Sequence, residues 1–205
     1  MNSMKNLFLV AAAVAMTLFC ACSETVNYGP KIEKSVEVEN FSSLDMKGVA
    51  NIEFKSSDTC SVYISGDSLL VVGTDIKVED GVLKIAQQKN LKVNGQKPEL
   101  TIIINAPTLQ KLNLEGVGSF TCIDTLRTDG FMEIDLGGVG EYNLSAACQK
   151  LDCDIDGVGS FTLNVDVDTL NLEGDGVGEI TVNGRAGVLN KKCHGIGAMN
   201  DNTKR

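Results

Sequence analysis

Acidic side chains recur along this chain at a fixed interval. Asp135, Asp154 and Glu173 stand 19 residues apart, and Asp156 and Asp175 follow two residues after the second and third of them. Regular spacing of this kind stacks like charge. Two carboxylates about 4 Å apart repel by roughly 1 kcal/mol in water, and by more where solvent is partly excluded. Stacked carboxylates relieve that repulsion by splaying into water or by sharing a cation through oxygen ligands. Across a cleft, two of them do acid/base work on a glycan. Calcium-binding solenoids place Asp inside a Gly-rich nonapeptide, which is absent here. No basic residue or aromatic platform accompanies the acids in the repeats, so solvated surface is the expectation. Lys192 ends the row and Asn113 begins it.

Other reactive residues are few. His194 is the single histidine and has no Ser or Cys partner suited to nucleophilic catalysis. The cysteines past the N-terminal segment are Cys60, Cys122, Cys148, Cys153 and Cys193. An odd number argues against a full disulfide framework. Four of them fall in apolar columns of the repeat, where cysteine is a small apolar filler. A Cys148–Cys153 bridge across the core stays open as a possibility. Their spacing is unlike that of a structural zinc site. No catalytic residue, metal or cofactor is expected. A formal net charge of −9 argues against a nucleic-acid partner, which needs a basic surface.

The elements that position these residues follow from a second repeat. Gly-Val-Gly begins at Gly116, Gly138, Gly157 and Gly176, and Gly195-Ile196-Gly197 follows. The steps are 22, 19, 19 and 19 residues, with a degenerate early copy at Gly48-Val49-Ala50. Around each copy apolar and polar residues alternate. Phe120, Tyr142, Phe161, Ile180 and Met199 share one position, and Leu114, Leu136 and Ile155 share another. Alternation at period two marks strands, and a fixed period near twenty residues marks stacked coils. The expected fold is an all-β, single-domain, mostly parallel β-helix or solenoid with coils of about 19–22 residues. A meander of antiparallel hairpins is the second reading. The glycines are expected at a bend between two strands of a coil; the competing reading is one strand running through them. Turns are expected at Thr128–Gly130, Asp166–Asp168 and Asn183–Gly187, and at Gly66-Asp67 and Asp80-Gly81. Residues 31–107 are strand-rich but less regular.

Residues 1–21 have the form of a lipoprotein-type signal peptide. Lys5 precedes an apolar run from Leu7 to Phe19, too short to span a bilayer. Ala21-Cys22 then makes Cys22 the candidate lipidation site, on a loose match to the usual cleavage motif. An ordinary secretory signal is the alternative. Residues 22–34 form a short linker, 35–200 the domain and 201–205 a polar tail. The expected location is the bacterial cell envelope, as an outer-membrane lipoprotein held by its acyl chains alone.

Several segments together carry a family resemblance. They are Val36–Leu44, Gly48–Ile52, Leu69-Leu70, Asp80–Ile85, Leu100–Pro107 and the glycine repeats. In these the chain resembles the putative auto-transporter adhesin, head GIN domain family, over roughly residues 35 to 200. The resemblance implies a β-helical solenoid with a role in adhesion or surface interaction, and it brings no catalytic residues. The function expected is a non-enzymatic interaction module whose partner is a glycan or a cell-surface protein. Its candidate face is made of Asp135, Asp154, Glu173, Thr121, Asn143, Thr162 and Thr181. The alternatives are a carbohydrate-active β-helix enzyme and a structural module that forms a homo-oligomer through open solenoid ends.

Overall fold

A computed structural model describes residues 29–88 and 99–204. The signal segment and Cys22 lie outside the described residues. The described chain is almost entirely strand: β1 (Lys31–Val36), β2 (Ser43–Ser56), β3 (Ser61–Asp67), β4 (Thr74–Glu79), β5 (Val82–Gln87), β6 (Leu100–Ala106), β7 (Lys111–Cys122), β8 (Leu126–Arg127), β9 (Phe131–Gly174), β10 (Val177–Cys193) and β11 (Ile196–Lys204). One short helix, α1 (Ser68–Val72), follows β3. A turn was the expectation at Gly66-Asp67; both residues instead end β3, and α1 carries the chain on to β4. β1 starts inside the expected linker, and β11 extends through most of the expected tail.

The strands form one mixed, open sheet ordered β1-β3-β6-β2-β7-β9-β10-β11. Parallel pairing holds throughout the repeat region, from β2–β7 through β10–β11. The first part departs from the parallel expectation, because β1–β3, β3–β6 and β4–β5 are antiparallel. The reason for the β4–β5 hairpin is local. Asp80 (φ 53) and Gly81 (φ 74) make a two-residue turn of positive φ, which suits the twist of a tight hairpin.

The early repeat copy finds its place across a long insertion. Gly48 pairs with Gly116, Val49 with Val117 and Ala50 with Gly118, so the copies at 48 and 116 are neighbours in space. The intervening residues supply β5 and β6, which lie on the other side of β2. Inward positions then stack strand on strand. Phe54, Phe120, Phe161, Leu112, Ile134 and Leu172 are all buried. Tyr142 and Phe161 stack with ring centroids 4.9 Å apart and planes 3° from parallel. Cys122 and Cys153 are buried fillers, whereas Cys193 is exposed; all five described cysteines are free, Cys148 and Cys153 included.

The bend expected at the glycines interrupts the strands only at the last two copies. β2, β7 and β9 run unbroken through Gly48, Gly116, Gly138 and Gly157, whereas the strands do break before Val177 and Ile196. The glycines serve close approach. A Cβ built on Gly116 would fall 1.8 Å from the Gly48 carbonyl oxygen, at a φ of +146° that side chains rarely adopt. The expected turns at Asp166–Asp168 and Asn183–Gly187 are likewise absorbed into β9 and β10, which pair with each other there except at Asp168 and Gly187. The break around Thr128–Gly130 is present.

Candidate functional site

Outward positions before the glycines build a groove. Asn113 pairs with Asp135, and Glu173 with Lys192, so the acidic row is one column of neighbouring strands. Two residues earlier on each strand runs a second polar column, Glu133, Asp152, Asn171 and Asn190. The two columns line an open groove of about 530 Å³, with Phe131 at one end and Lys191 and Lys192 at the other.

Hydrogen bonds fix much of this surface. Asn190 Nδ2 donates to Asn171 Oδ1 at 2.8 Å, and Asn171 Nδ2 donates to Asp152 Oδ1 at 2.6 Å. Lys150 Nζ bonds Asp152 Oδ2 at 2.9 Å and stands 5.2 Å from the centre of the Phe131 ring. Burial pushes the Asp152 carboxyl up, but its bonds to Lys150 and Asn171 outweigh that and hold it below the usual range. Lys192 pairs with Glu173. Among the described residues no cation pairs directly with Asp135 or Asp154. Asp135 is exposed, yet desolvation by its neighbours raises its carboxyl first, and the charges of Glu115 and Glu133 raise it further. Desolvation does the same to Asp154, followed by the charges of Asp135 and Glu173. At the head of the column Asn113 donates to Asp45 Oδ1 at 3.3 Å.

The face expected from sequence divides in two. Asp135, Asp154 and Glu173 line the groove. Thr121, Asn143, Thr162 and Thr181 do not; they form a separate row beyond the glycines, with Thr121 beside Asn143 and Thr162 beside Thr181. Between the rows stands an exposed aliphatic column of Val117, Val139, Val158, Val177 and Ile196. His194 contacts Asp175 at 3.2 Å on the open surface. Among the described residues no three His, Cys, Asp or Glu side chains converge as a metal set.

Sequence reasoning missed Phe131, Asp152, Asn171 and Asn190. The last three were findable, because they recur at 19-residue steps at an outward parity two places before the acidic row. Phe131 gives no such signal. Its column continues with Lys150, Thr169 and Val188, and only the fold lays it beside the acids.

A family model matches residues 40–200, over most of the chain. The chain belongs to the putative auto-transporter adhesin, head GIN domain family. Two solved structures share the fold of this GIN-domain chain. One is a putative adhesin from Bacteroides fragilis, 23% identical over 84% of this chain and 97% of its own, with a TM-score of 0.63. The other is described as a putative lipid binding protein from Parabacteroides distasonis, 19% identical over 86% of this chain and 98% of its own, with a TM-score of 0.61. No curated protein matches. No helix among the described residues of the GIN-domain chain is long and apolar enough to cross a membrane.

Proposed function

We propose that this chain is an exported, lipid-anchored surface module that binds without catalysis, its repeat region acting as a β-solenoid scaffold. Family membership supports an adhesin-like role at the cell surface. The observation that carries the binding reading is the groove, where Phe131 offers an aromatic face beside rows of carboxylates and amides. A glycan has that dual character: C–H faces stack on a ring while hydroxyls bond to carboxylates and amides. The rows also repeat at the strand spacing of about 4.8 Å, which suits a ligand that is itself a repeating chain.

A glycan array probed with the purified protein tests this. Binding is expected, with loss of signal in Phe131→Ala and Asp152→Ala. A protein that binds no glycan, or whose Phe131→Ala variant binds undiminished, would remove the groove from the reading.

A carbohydrate-active enzyme is the second reading, and the combination of carboxylates with Phe131 in one groove favours it. Against it, a glycosidase needs two carboxyl groups with opposed environments, one kept protonated and one ionised. Asp135 and Asp154 are both raised, by desolvation first and by neighbouring carboxylates second. The carboxylate of opposed environment in the groove is Asp152, held low by Lys150 and Asn171, and those two bonds already occupy its oxygens. Incubation with any bound glycan is expected to release no new reducing ends.

A further inference from the structure

Among the described residues β11 is the last strand of the sheet, and its outer edge differs from the others. β10 is the one ladder partner of β11 among the described residues. Ile196 N–H bonds the Gly176 carbonyl at 3.0 Å. In a parallel ladder, alternate residues then turn the other way, so Gly197 and Met199 present N–H and C=O to the open side.

Two other ends of the sheet are protected. The glycine column begins at Val49, where a side chain stands in for a strand: Gln87 Oε1 accepts the Val49 N–H at 2.9 Å and Gln87 Nε2 donates to the Val49 carbonyl at 2.8 Å. β1, the opposite edge, carries Lys31, Glu33 and Lys34, and charge on an edge discourages pairing. Half of the β11 end is closed as well. Asp201 occupies the inward position next to Val182, and Lys191 that next to Leu172. They face each other at 3.9 Å, a polar cap on the core. Asp201 Oδ1 also takes the Thr203 N–H at 3.1 Å.

The remaining half is open. Ile180, Cys193, Ile196 and Met199 line an apolar notch beside the unpaired edge. Ile196 is 77% exposed, against 46–51% for the valines of its column. A free edge and an apolar notch side by side are the two requirements for strand addition, in which backbone bonds give affinity and a side-chain pocket gives selectivity.

The glycines define what fits. A Cβ on Gly197 would fall 1.7 Å from the Gly178 carbonyl oxygen, and one on Gly178 would fall 1.9 Å from that of Gly159. A parallel strand laid on β11 in the same register meets the same constraint. It needs glycine opposite Gly195 and Gly197, an aliphatic residue between them, and an apolar residue beside Met199. Gly116-Val117-Gly118-Ser119-Phe120 has this pattern. We propose that the open edge of β11 binds an extended glycine–aliphatic–glycine segment of a partner protein, which adds to the sheet as one further coil supplied in trans.

The test uses the full chain and a fluorescent peptide of residues 111–122, held below the concentration at which it scatters light. Anisotropy should show saturable binding. The same peptide with Gly116→Ala and Gly118→Ala should bind at least about tenfold more weakly. Met199→Lys in the protein should weaken binding by a similar factor, and Asp135→Asn, in the separate groove, should leave it unchanged. Absence of saturable binding, or equal binding of the alanine peptide, would overturn the proposal. Because the peptide pair uses unaltered protein, the test stands even where Met199→Lys disturbs folding.

Discussion

Gly118 has no room for a methyl group. Its φ is +146°, and a Cβ there would lie 1.9 Å from the Ala50 carbonyl oxygen. Gly118→Ala must therefore strain its own backbone and push two paired strands apart. It is expected to cost at least about 2 kcal/mol, measured by chemical denaturation. The adjacent Val117 is half exposed on the outer face, and Val117→Thr should stay within about 0.5 kcal/mol of the parent. The pair separates the demand for glycine from any general sensitivity of the repeat. Inside the same coils, Phe161 is 2% exposed and stacks on Tyr142. Phe161→Ala leaves a cavity between two rigid layers and should cost about 3–5 kcal/mol. A loss under about 1 kcal/mol would contradict the stacking.

At the scale of the element, the acidic column works against the fold that creates it. Asp135 and Asp154 have folded-state values raised above the ordinary carboxylate value of 3.8. A raised acid favours folding while protonated. That contribution is complete below the unfolded value and is lost as pH rises through the folded one. At neutral pH the column is therefore a liability. Replacing Asp135 and Asp154 together by Asn should leave stability unchanged or slightly raised at pH 7. The advantage should vanish in melts below pH 3.8. Glu79 behaves oppositely: Lys77 and Lys84 lower it to about 2, so its contribution is present above its unfolded value and fades as pH falls toward 2. Since Lys192 ends the acidic column with a cation, millimolar calcium should leave the melting temperature nearly unchanged. A rise of many degrees that the double Asn variant abolishes would make the column a cation site.

At the scale of the whole molecule, the proposed function turns on an anchor. The proposed anchor, Cys22, would tie the sheet to a membrane by acyl chains alone. Mass spectrometry of the mature N-terminus should find a lipid-modified Cys22, and Cys22→Ser should leave the protein uncleaved or released from membranes. An unmodified terminus at Ser23 or beyond would contradict the anchor. The alternative of a homo-oligomer through open ends meets an obstacle at β11, where Lys191 and Asp201 place charge over half of the core. Strand addition at the other half needs only a short extended segment.

The sequence by itself determined the parts that repeat. The 19-residue step, the alternation around it and the small volume of the glycines fix which residues stack, because a column forces the same steric choice on every coil. It even located the copy at Gly48, 68 residues from its partner at Gly116. The tertiary structure decided what does not repeat. The antiparallel strands before Ala106 follow from where the chain reverses, which short apolar runs do not encode. Phe131 beside the acids, Gln87 in place of a strand at Val49, and the bare edge of β11 are each single events. A period carries no information about them, because each depends on where a stack begins or ends and on what the fold happens to lay across that end.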